Sequence, residues 1–495
     1  MNTFHRRTTA FWFKIVLTLL LSCGWWSVTA SRAAEVPVEA EAPSIRGWRN
    51  DGSGRFDSVT AVPIEWGPDK NIRWKAPLPH RSNASPILVD GRLYVCAEPD
   101  ELVCVAADTG QTLWRQATSY LDLLTSQQLE PATRALLEQA RAAQLKRFKP
   151  DGLDLGHHPG LIEDGKELPE QFRRPDVHVD AGYTTPTPVS DGRNVFVLFA
   201  TGLVTSFDAG GKRRWTVLPE KPVIRWGQAA SPIIAGGRLI VHAEQCWALD
   251  LATGAVAWRT PTRRRWATPV ALRIGTLELI VLGGGEVLRA GDGMVVADLF
   301  PHRDRCDCYV NYWGMSSPVV AGESVYFVDA TPSTAQAAPT VQRFDLKATV
   351  EGRVEFVRRW RVDVPSGKYF ASPVLHDGRL YIVASTLRQK GEKGFDAVLN
   401  RRVDGTLLTL NAETGELIFA HEIGKETGTY HTVTFADGKL WLTGHSGITV
   451  VVEAGPAYRE LARNRLEATR SHPLFIGNDL IIRGCENLYR IGGGR

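Results

Sequence analysis

The apolar positions of this chain occur in short runs that are separated by tight turns rather than spaced as in helices. In SPILVDGRLYV, which begins at Ser85, the pair Asp90-Gly91 divides two β-rich runs, and SPVLHDGRLYIV from Ser372 repeats the arrangement. Asp-Gly pairs accept positive φ at the centre of a two-residue hairpin, whose twist suits the flanking strands. Each such phrase therefore predicts two antiparallel strands. Equivalent turn pairs are Asp191-Gly192, Gly236-Gly237, Asp377-Gly378, Asp437-Gly438 and Gly477-Asn478.

Two further strands follow each hairpin. A third apolar run ends in Asp or Asn, and a fourth carries a glycine followed four residues later by an aromatic residue, as in TGQTLW ending at Trp114. A four-stranded sheet this small cannot bury both faces alone, so successive copies are expected to stack on one another. We expect the recurrent aromatic residues to fill the space between neighbouring sheets rather than to bind a ligand. These residues are Trp114, Trp215, Trp258, Trp360 and Phe419.

The repeats can be counted from their opening residues. The openings are Ser85, Thr187, Ser231, Thr268, Ser317, Ser372, a degenerate one near Thr432, and Ser471, which makes eight units. The last unit ends without its aromatic strand, whereas NIRWKAPLP around Trp74 resembles a fourth strand with no unit before it. If residues 72–75 complete the last sheet, the chain closes into a ring without terminal edges. The sequence thus predicts an all-β fold, an eight-bladed β-propeller closed by an N-terminal strand, as one domain over residues 35–495.

One long segment interrupts the repeats. Residues 119–182 separate the first two units and begin with LDLLTSQQLEPATRALLEQARAAQLKRF, an amphipathic stretch that predicts a helical insertion between the first two blades. The side chains expected to pack this helix onto the ring are Leu129, Leu136, Leu137 and Leu145. Shorter insertions at residues 331–339 and 387–404 widen the fifth and sixth units. Insertions in repeat proteins collect on one face, which is often the binding face.

Residues 1–34 have the pattern of a secretory signal peptide. Arg6 and Arg7 precede an apolar run at residues 15–21, and small residues follow up to Ala34. The run is too short and too interrupted for a transmembrane helix, which needs about 20 apolar residues. A second interpretation stays open, because the Leu-Leu-Ser-Cys sequence ending at Cys23 is typical of a lipidation site that would tether the protein to a membrane.

The basic excess of the chain belongs to this leader. The formal net charge is +4, and the first 34 residues contain four basic and no acidic residues. The remaining chain is therefore nearly neutral, whereas proteins that bind nucleic acid rely on a concentrated basic face. We expect no nucleic-acid partner, and we interpret the short basic runs at residues 263–265 and 358–359 as solvated blade edges.

The repeat phrases resemble a known family. The SP…DGRLYV…LD…TGxxxW units, with the lead-in GWRNDGSGRFDSVTAVPIEWGPDKNIRWKAPLP, are similar to the PQQ-like β-propeller repeat proteins of bacteria. This family includes quinoprotein alcohol dehydrogenases and the outer-membrane assembly lipoprotein BamB. The resemblance runs from about Trp48 to the C-terminus apart from the insertion at residues 119–182. It implies the fold, but the family ranges from redox enzymes to scaffolds, and a fold alone does not assign a function.

The resemblance also implies what a quinone site would contain: adjacent cysteines beside the quinone, a tryptophan floor, a calcium site and an aspartate base. The chain has no Cys-Cys pair, and its nearest approach is Cys306-Asp307-Cys308, with Asn311 and Trp313 close behind. A c-type haem would need C-x-x-C-H, which is absent. We therefore expect no catalytic residues and neither PQQ nor calcium as cofactor.

Several histidines are candidate metal ligands by residue type. His157, His158 and His178 lie in the insertion with Asp176 and Asp180, and such a set could hold zinc. The spacing lacks a compact motif such as H-E-x-x-H, so we interpret these as surface loop residues and expect no metal site. The later residues His431, His445 and His472 fall near strand starts, where a position on the rim or in the central funnel is open to them.

Two other patterns have structural interpretations. Cys96 and Cys104 flank the turn EPDE, so either a cross-strand disulfide or two free buried thiols fits the spacing. The GGGE sequence at residues 283–286 lies between strands rather than before a helix, so it is not expected to hold phosphate.

These observations favour an exported binding scaffold, in the periplasm or at the cell surface, that acts as a monomer. Its partner would be a protein or an extracellular polymer, bound through rim loops at residues 119–182 and around residues 388–402. The alternative is a PQQ-dependent quinoprotein oxidoreductase that uses the central funnel to oxidise alcohols or sugars.

Overall fold

The computed structural model describes residues 45–124, 131–145, 161–162, 170–178, 181–223, 227–263, 266–301, 315–329, 339–365, 367–388, 402–424, 427 and 430–493. Within these residues the chain forms eight main β-sheets, numbered here as blades 1 to 8 in chain order, and each has four antiparallel strands at its centre. The predicted all-β, eight-bladed propeller is confirmed.

Blades 1 to 4 consist of short strands. The strands of blade 1 are Ile87–Val89, Arg92–Ala97, Glu101–Ala106 and Thr112–Ala117. Those of blade 2 are Val189–Ser190, Asn194–Leu198, Val204–Asp208 and Arg213–Val217. Those of blade 3 are Ile233–Ala235, Arg238–His242, Cys246–Asp250 and Val256–Thr260. Those of blade 4 are Val270–Ile274, Leu277–Val281, Glu286–Arg289 and Val295–Asp298.

Blades 5 to 8 include longer strands and two additions from the N-terminal part. Blade 5 contains Val319–Ala321, Ser324–Asp329, Thr340–Ala348 and Val354–Asp363. Blade 6 contains Val374–His376, Arg379–Arg388, Arg402–Asn411 and Leu417–Gly424, with Gly367–Lys368 beside its second strand. Blade 7 contains Thr432–Ala436, Lys439–Thr443, Ile448–Glu453 and Glu460–Arg465, with Arg55–Phe56 parallel to its first strand. Blade 8 contains Leu474–Ile476, Asp479–Arg483 and Asn487–Ile491, with Ile72–Pro77 as its fourth strand.

The described part of the segment between blades 1 and 2 adds a few smaller elements. They are the α-helix Pro131–Leu145, the 3₁₀ turns Tyr120–Leu123 and Glu170–Phe172, and the strand pair Leu161–Ile162 with Val177–His178. Leu136 is partly exposed, whereas the side chains of Leu129, Leu137 and Leu145 lie outside the described residues. The helical insertion therefore stays a prediction in its detail.

The ring closes as the repeat pattern predicts. Ile72–Pro77 pairs in antiparallel fashion with Asn487–Ile491, and this pairing completes blade 8. A single apolar cluster joins blades 7, 8 and 1, and it includes Leu93, Trp441 and Leu488. Similar clusters lie between each other pair of neighbouring blades, so the core is distributed around the ring rather than gathered in one layer.

The recurrent tryptophans lie between blades, as expected. Each donates its indole N–H to a carbonyl oxygen in the turn between the third and fourth strands of the next blade. The pairs are Trp114 with Ala209, Trp215 with Leu251, Trp258 with Ala290 and Trp360 with Ala412, at 3.0, 3.0, 3.1 and 3.2 Å. Phe419 packs beside the cluster between blades 6 and 7.

The alternation of strand direction gives the propeller two different faces. The first strands of blades 2 to 7 contact one another in succession and are therefore innermost. Connections between blades, and turns between second and third strands, lie on one face, which we call the connection face. The Asp-Gly turns and the glycine turns before the fourth strands lie on the opposite face. The strands on either side of residues 330–338 and 389–401 end and begin on the connection face.

The structure contradicts two predictions about individual residues. Cys96 and Cys104 are free and buried, and Cys104 is paired across the strands with Tyr94 rather than with Cys96, so the disulfide alternative is wrong. Arg263 is also not a solvated edge residue. It is buried before blade 4, where its guanidinium donates to both carboxylate oxygens of Asp298 at 2.9 and 2.6 Å. A buried charge persists only when it is paired, and the local sequence gave no sign of this partner.

Candidate functional site

A ring of hydroxyl groups joins the blades around the axis. The backbone N–H of Ser85 donates to Thr187 Oγ1 at 3.0 Å, and that of Thr187 donates to Ser231 Oγ at 3.0 Å. The same bond recurs from Ser231 to Thr268, from Thr268 to Ser317 and from Ser317 to Ser372. The opening Ser or Thr of blades 2 to 6 therefore serves the preceding blade, whereas the hydroxyl of Thr432 in blade 7 has no hydrogen-bond partner among the described residues.

Blade 8 is joined to blade 1 by the same kind of bond, but through a different residue from the one predicted. The backbone N–H of His472 donates to Ser85 Oγ at 2.8 Å, so His472 occupies the position that Ser85 has in blade 1. Ser471 is buried one residue earlier and accepts no bond from a neighbouring blade; its hydroxyl donates to the carbonyl oxygen of Arg483 at 2.9 Å. The unit begins as predicted, but its register is shifted by one residue.

Two residues before each ring position, every blade presents one partly exposed side chain, followed by a fully buried residue. We call these eight the mouth residues: Asn83, Thr185, Ala229, Trp266, Met315, Phe370, Tyr430 and Arg470. They precede the inner strands and therefore surround the axial opening on the connection face. Bulky apolar side chains occupy blades 4 to 7, and small or polar ones occupy blades 1 to 3.

Three pairs of neighbouring mouth residues are in contact. The rings of Phe370 and Tyr430 lie with centroids 4.7 Å apart, and the guanidinium carbon of Arg470 lies 4.2 Å from the Tyr430 ring centroid. On the polar side, Asn83 Nδ2 donates to Thr185 Oγ1 at 3.2 Å. An arginine over an aromatic face is held by the ring quadrupole, so Arg470 and Tyr430 form one amphipathic surface.

Tyr430 has a backbone conformation that bulky residues avoid. Its φ is 54°, in the left-handed region. For a bulky residue this conformation costs about 1–2 kcal/mol, and such strain is concentrated at binding sites and active sites. The surrounding fold therefore holds the Tyr430 ring in the mouth against a local preference.

The N-terminal segment at residues 45–56 lies across the axis beneath the mouth. Ile45 forms a bridge with Leu88 of blade 1, and the carbonyl oxygen of Arg46 accepts the N–H of Ser190 of blade 2 at 2.7 Å. Further along, Arg49 Nη2 donates to the carbonyl oxygen of Pro373 of blade 6 at 2.8 Å. Because blades 2 and 6 are on opposite sides of the ring, this segment crosses the axis. The partly exposed Trp48 lies beside His472, with 5.7 Å between ring centroids.

Two glutamates on the connection face have structural partners. Glu98 of blade 1 accepts the backbone N–H groups of Tyr183 and Thr184 at 2.9 and 3.0 Å. Glu467, before blade 8, accepts the N–H of Asn487 at 2.8 Å. Burial raises the pKa of both carboxyl groups, while the hydrogen bonds act in the opposite direction. A raised pKa can mark a catalytic acid, but these oxygens are occupied by backbone donors that join one element to the next.

Of the histidines near the late strand starts, His431 and His445 are buried, whereas His472 is partly exposed. Nε2 of His431 lies 2.8 Å from Thr427 Oγ1, and its Nδ1 lies 3.5 Å from Ser385 Oγ. Burial, with a smaller contribution from His445, lowers the pKa of His431 to about 3. The ring of His431 thus joins Thr427 to Ser385 of blade 6.

Only some of the candidate ligands for a metal or a quinone lie within the described residues. His178 is buried in the strand Val177–His178, whereas His157, His158 and Asp180 lie outside the described residues. Cys306, Cys308, Asn311 and Trp313 also lie outside them. Within the described ranges no three His, Cys, Asp or Glu side chains come together in a way that could hold a metal ion. The absence of a metal site stays a prediction for the whole chain.

Glu286 of the GGGE sequence also has a structural partner. Its Oε1 accepts the backbone N–H of Arg263 at 2.6 Å, and the preceding glycines form the turn between the second and third strands of blade 4. In the part of the chain that the structure describes, no helix has the length and apolar character needed to span a membrane.

Sequence reasoning did not identify the mouth residues. The signal was available, since each lies two residues before the opening Ser or Thr, or before His472 in blade 8. Nothing in a single repeat distinguishes this position, however, because its residue type changes from blade to blade. Only closure of the ring brings the eight together.

The fold and the mouth define a PQQ-like β-propeller protein. The family model described as outer membrane protein assembly factor BamB matches residues 55–153 and 176–349, more than half of the chain. The chain therefore belongs to this family. Comparison with curated protein sequences gives no match.

Solved structures with the same architecture come from both branches of the family. BamB from Moraxella catarrhalis matches with a TM-score of 0.51 at 13% identity, covering 85% of this chain and 99% of that one. Quinohemoprotein alcohol dehydrogenase from Comamonas testosteroni matches with a TM-score of 0.54 at 12% identity, covering 92% and 82%. A europium-containing methanol dehydrogenase matches with a TM-score of 0.51 at 10% identity, covering 89% and 90%. At these identities the likeness shows the fold alone.

Proposed function

We propose that this protein is an exported, non-catalytic scaffold that binds a protein partner through its connection face, with the mouth as the centre of the contact. The observation that carries the proposal is the arc formed by Trp266, Met315, Phe370, Tyr430 and Arg470, each partly exposed at the equivalent position of successive blades.

The composition of this arc supports a protein partner. Tryptophan, tyrosine, methionine and arginine are enriched at the centres of protein interfaces, where a few such residues supply most of the binding energy. The Phe370, Tyr430 and Arg470 side chains are already in mutual contact, so little side-chain freedom is lost on binding. The strained backbone of Tyr430 is accounted for if its ring is kept for recognition.

The position of the mouth supports the same proposal. The segments that link blades, including residues 119–182, leave and enter the ring on the connection face around it. We propose that these rim segments supply the outer part of the interface, while the mouth supplies its centre. Protein interfaces commonly have a packed apolar centre that is surrounded by a polar rim.

The family supports a proposal about the compartment and the class of partner. A factor in outer membrane protein assembly works outside the cytoplasm, and the leader at residues 1–34 agrees with export. We propose that the partner belongs to the assembly of outer membrane proteins, that the scaffold is a monomer, and that Cys23 is its membrane tether if the leader is lipidated. We propose a protein partner rather than an extracellular polymer, because the family description does not imply a polymer ligand.

The competing proposal is a PQQ-dependent oxidoreductase acting on alcohols or sugars. It is supported by the aromatic side chains of Trp266, Phe370 and Tyr430, which could enclose a planar ring, with Arg470 beside them to bind an anionic group. The residues that would hold calcium are not found: the described ranges contain no suitable cluster of acidic side chains. We derive no catalytic step from this arrangement.

Site-specific photo-crosslinking tests the scaffold proposal. A photoreactive amino acid at Met315 should crosslink to one defined envelope protein in intact cells, whereas the same group at Val350, which is fully exposed on the opposite face, should not. Loss of the Met315 crosslink on Tyr430→Ala would place the partner at the mouth. Equal crosslinking from both positions would contradict the proposal.

A second assay separates the two functions. A scaffold should show no change in melting temperature with PQQ and calcium, and no dye-linked oxidation of alcohols or aldoses. A saturable thermal shift with PQQ that disappears in Trp266→Ala would favour the oxidoreductase.

A further inference from the structure

The last hairpin of blade 5 is longer than its counterparts. In blades 1, 2, 3 and 6 the turn glycine lies four residues before the recurrent aromatic residue, whereas Gly352 lies eight residues before Trp360. The third and fourth strands of blade 5 accordingly have nine and ten residues. Residues 346–348 pair with residues 354–356 and extend the hairpin beyond Asp345, the acidic residue at which the repeat pattern ends the third strand.

One side of this extension is packed, and its free edge is exposed. Leu346 and Val354 are buried in the cluster shared with blade 4. Residues 355–359 are exposed without interruption, and they include Phe356 and Val357, whose exposed fractions are 38% and 56%. Proteins usually keep edge strands short or covered, because a long edge with exposed apolar side chains is a surface on which another strand can pair.

The backbone of this edge offers hydrogen-bonding groups to a further strand. The N–H of Leu346 donates to the carbonyl oxygen of Glu323 at 2.9 Å, so the backbone groups of Leu346 face the second strand. Phe356 lies opposite Leu346, and Arg358 lies opposite Phe344, two residues along. Because these groups alternate in direction along an antiparallel ladder, Phe356 and Arg358 direct their N–H and C=O groups to the free edge.

Three exposed side chains of the fourth strand share one face of the hairpin. Val357 lies opposite Asp345, and Nε of Arg359 donates to Asp345 Oδ2 at 2.7 Å. Glu355 is two residues before Val357 and therefore projects from the same face. A negative, an apolar and a positive side chain thus follow one another along the edge. This order is complementary to itself when two copies of the strand run in opposite directions.

We propose that the fourth strand of blade 5 pairs in antiparallel fashion with the same strand of a second copy of this chain, about a two-fold axis at Val357. In this register Val357 faces its own counterpart, at a position without backbone hydrogen bonds. Glu355 then faces Arg359 of the other copy with opposite charge, and Phe356 faces Arg358, whose guanidinium can lie over the ring. The free N–H and C=O groups of the paired residues join in reciprocal hydrogen bonds.

The charge pattern favours a second copy over other occupants. Charges on an edge strand normally oppose pairing, but in this register each charge meets one of opposite sign. An anionic lipid surface fits less well, because Glu351 and Glu355 are exposed among the basic residues. The contact is small, so we expect a dissociation constant on the order of 10–100 μM and a monomer in dilute solution. The pairing goes beyond the proposed scaffold function, which needs only one copy.

Sedimentation equilibrium of the full chain tests the proposal. We expect a monomer at about 1 μM and a monomer–dimer equilibrium at about 100 μM. Val357→Lys brings two like charges together on the two-fold axis and should weaken association about fivefold or more. Leu417→Lys changes a similarly exposed apolar residue on the fourth strand of blade 6 and should leave association unchanged. A chain that is monomeric at both concentrations, or equal weakening by the two substitutions, would overturn the proposal.

Disulfide trapping tests the register independently. Facing residues of a pair without hydrogen bonds have Cα atoms about 4.5 Å apart, which a disulfide bond can span. Val357→Cys should therefore give a crosslinked dimer on mild oxidation, whereas Val350→Cys, fully exposed at the turn of the same hairpin, should not. The unsubstituted chain is the reference. Equal crosslinking at positions 357 and 350 would indicate random collision, and a monomer that floats with phosphatidylglycerol vesicles would assign the strand to a lipid surface; either result contradicts the pairing.

Discussion

The indole of Trp74 lies directly against Gly110, so that a Cβ on this glycine would come within 2.8 Å of the indole ring, and its Nε1–H donates to the carbonyl oxygen of Ala107 at 3.1 Å. The same contact joins Trp114 to Gly211 and Trp215 to Gly254 between consecutive blades. The glycine and the tryptophan of the repeat therefore form one packing contact between neighbouring blades. Each glycine accepts the tryptophan of the preceding blade, and Trp74 extends that contact across the closure of the ring.

This relationship predicts coupled effects on stability. Gly110→Ala combines a φ of 75° with the clash against Trp74 and should lower the free energy of unfolding by about 2–3 kcal/mol. Trp74→Ala should lower it by about 3 kcal/mol, since a large interblade side chain is lost. The loss of unfolding free energy in the double variant should be smaller than the sum of the two single losses by more than about 1 kcal/mol, because the clash is absent without the indole.

Urea unfolding of the three variants measures this coupling. Gly91→Ala is the matched control, because Gly91 has a φ of 69° but nothing within 4 Å of an added Cβ. It should cost only the backbone strain, about 1–2 kcal/mol. Additive losses at positions 74 and 110 would mean that the indole and the glycine are energetically independent.

The hydroxyl ring predicts a second effect. Thr187→Val preserves shape but leaves the buried N–H of Ser85 without its acceptor, which should lower stability by about 1–3 kcal/mol. Thr187→Ser keeps the hydroxyl and should remain within about 1 kcal/mol of the wild type. Chemical denaturation of both variants provides the measurement. Equal losses would assign the effect to the methyl group instead of the hydrogen bond.

The burial of His431 predicts a dependence of stability on pH. The unfolded chain takes up a proton at this residue near pH 6.5, whereas the folded chain resists protonation because the pKa is lowered to about 3. At pH values between these two pKa values the unfolded state binds more protons than the folded state. The contribution of His431 to the free energy of unfolding is therefore fully present above about pH 6.5 and is lost as the pH falls toward 3. By pH 5 the loss from this residue alone is about 2 kcal/mol.

Unfolding free energies at pH 7 and pH 5 test this statement. His431→Gln should reduce the difference between the two values, while the same substitution at His421, which is exposed on the outer strand of blade 6, should leave it unchanged. An unaltered difference in His431→Gln would mean that other groups control the acid sensitivity.

The conformation of Tyr430 predicts a separation of stability from binding. Tyr430→Gly relieves the left-handed backbone but loses the contacts with Phe370 and Arg470, so the free energy of unfolding should stay within about 1 kcal/mol of the wild type. Partner crosslinking from Met315 should nevertheless fall at least about tenfold, as expected for an interface hot spot. A variant that crosslinks normally would remove Tyr430 from the binding surface.

Much of the fold could be read from local patterns. The Asp-Gly pairs marked hairpins, and Asp90-Gly91, Asp377-Gly378 and Asp437-Gly438 do have positive φ at both residues. The unfinished last unit and the isolated strand at Trp74 predicted the closure. These features are visible because turn geometry and strand alternation depend on residues that are neighbours in sequence.

The functional surface could not be read in the same way. His472 stands where the other blades have Ser or Thr, and a local pattern placed the ring position at Ser471. The ion pair of Arg263 with Asp298 likewise joins residues from different elements. Side chains that meet only when blades come together leave no periodic signal in the chain.

By itself the sequence determined the repeat, the number of blades and the way the ring closes, because each blade is a local unit whose turns and apolar runs are encoded within a short stretch. The tertiary structure alone decided that eight dissimilar residues form one mouth and that Arg49 lies buried on the axis beneath it. Both depend on distances between blades, and those distances exist only after the ring has closed.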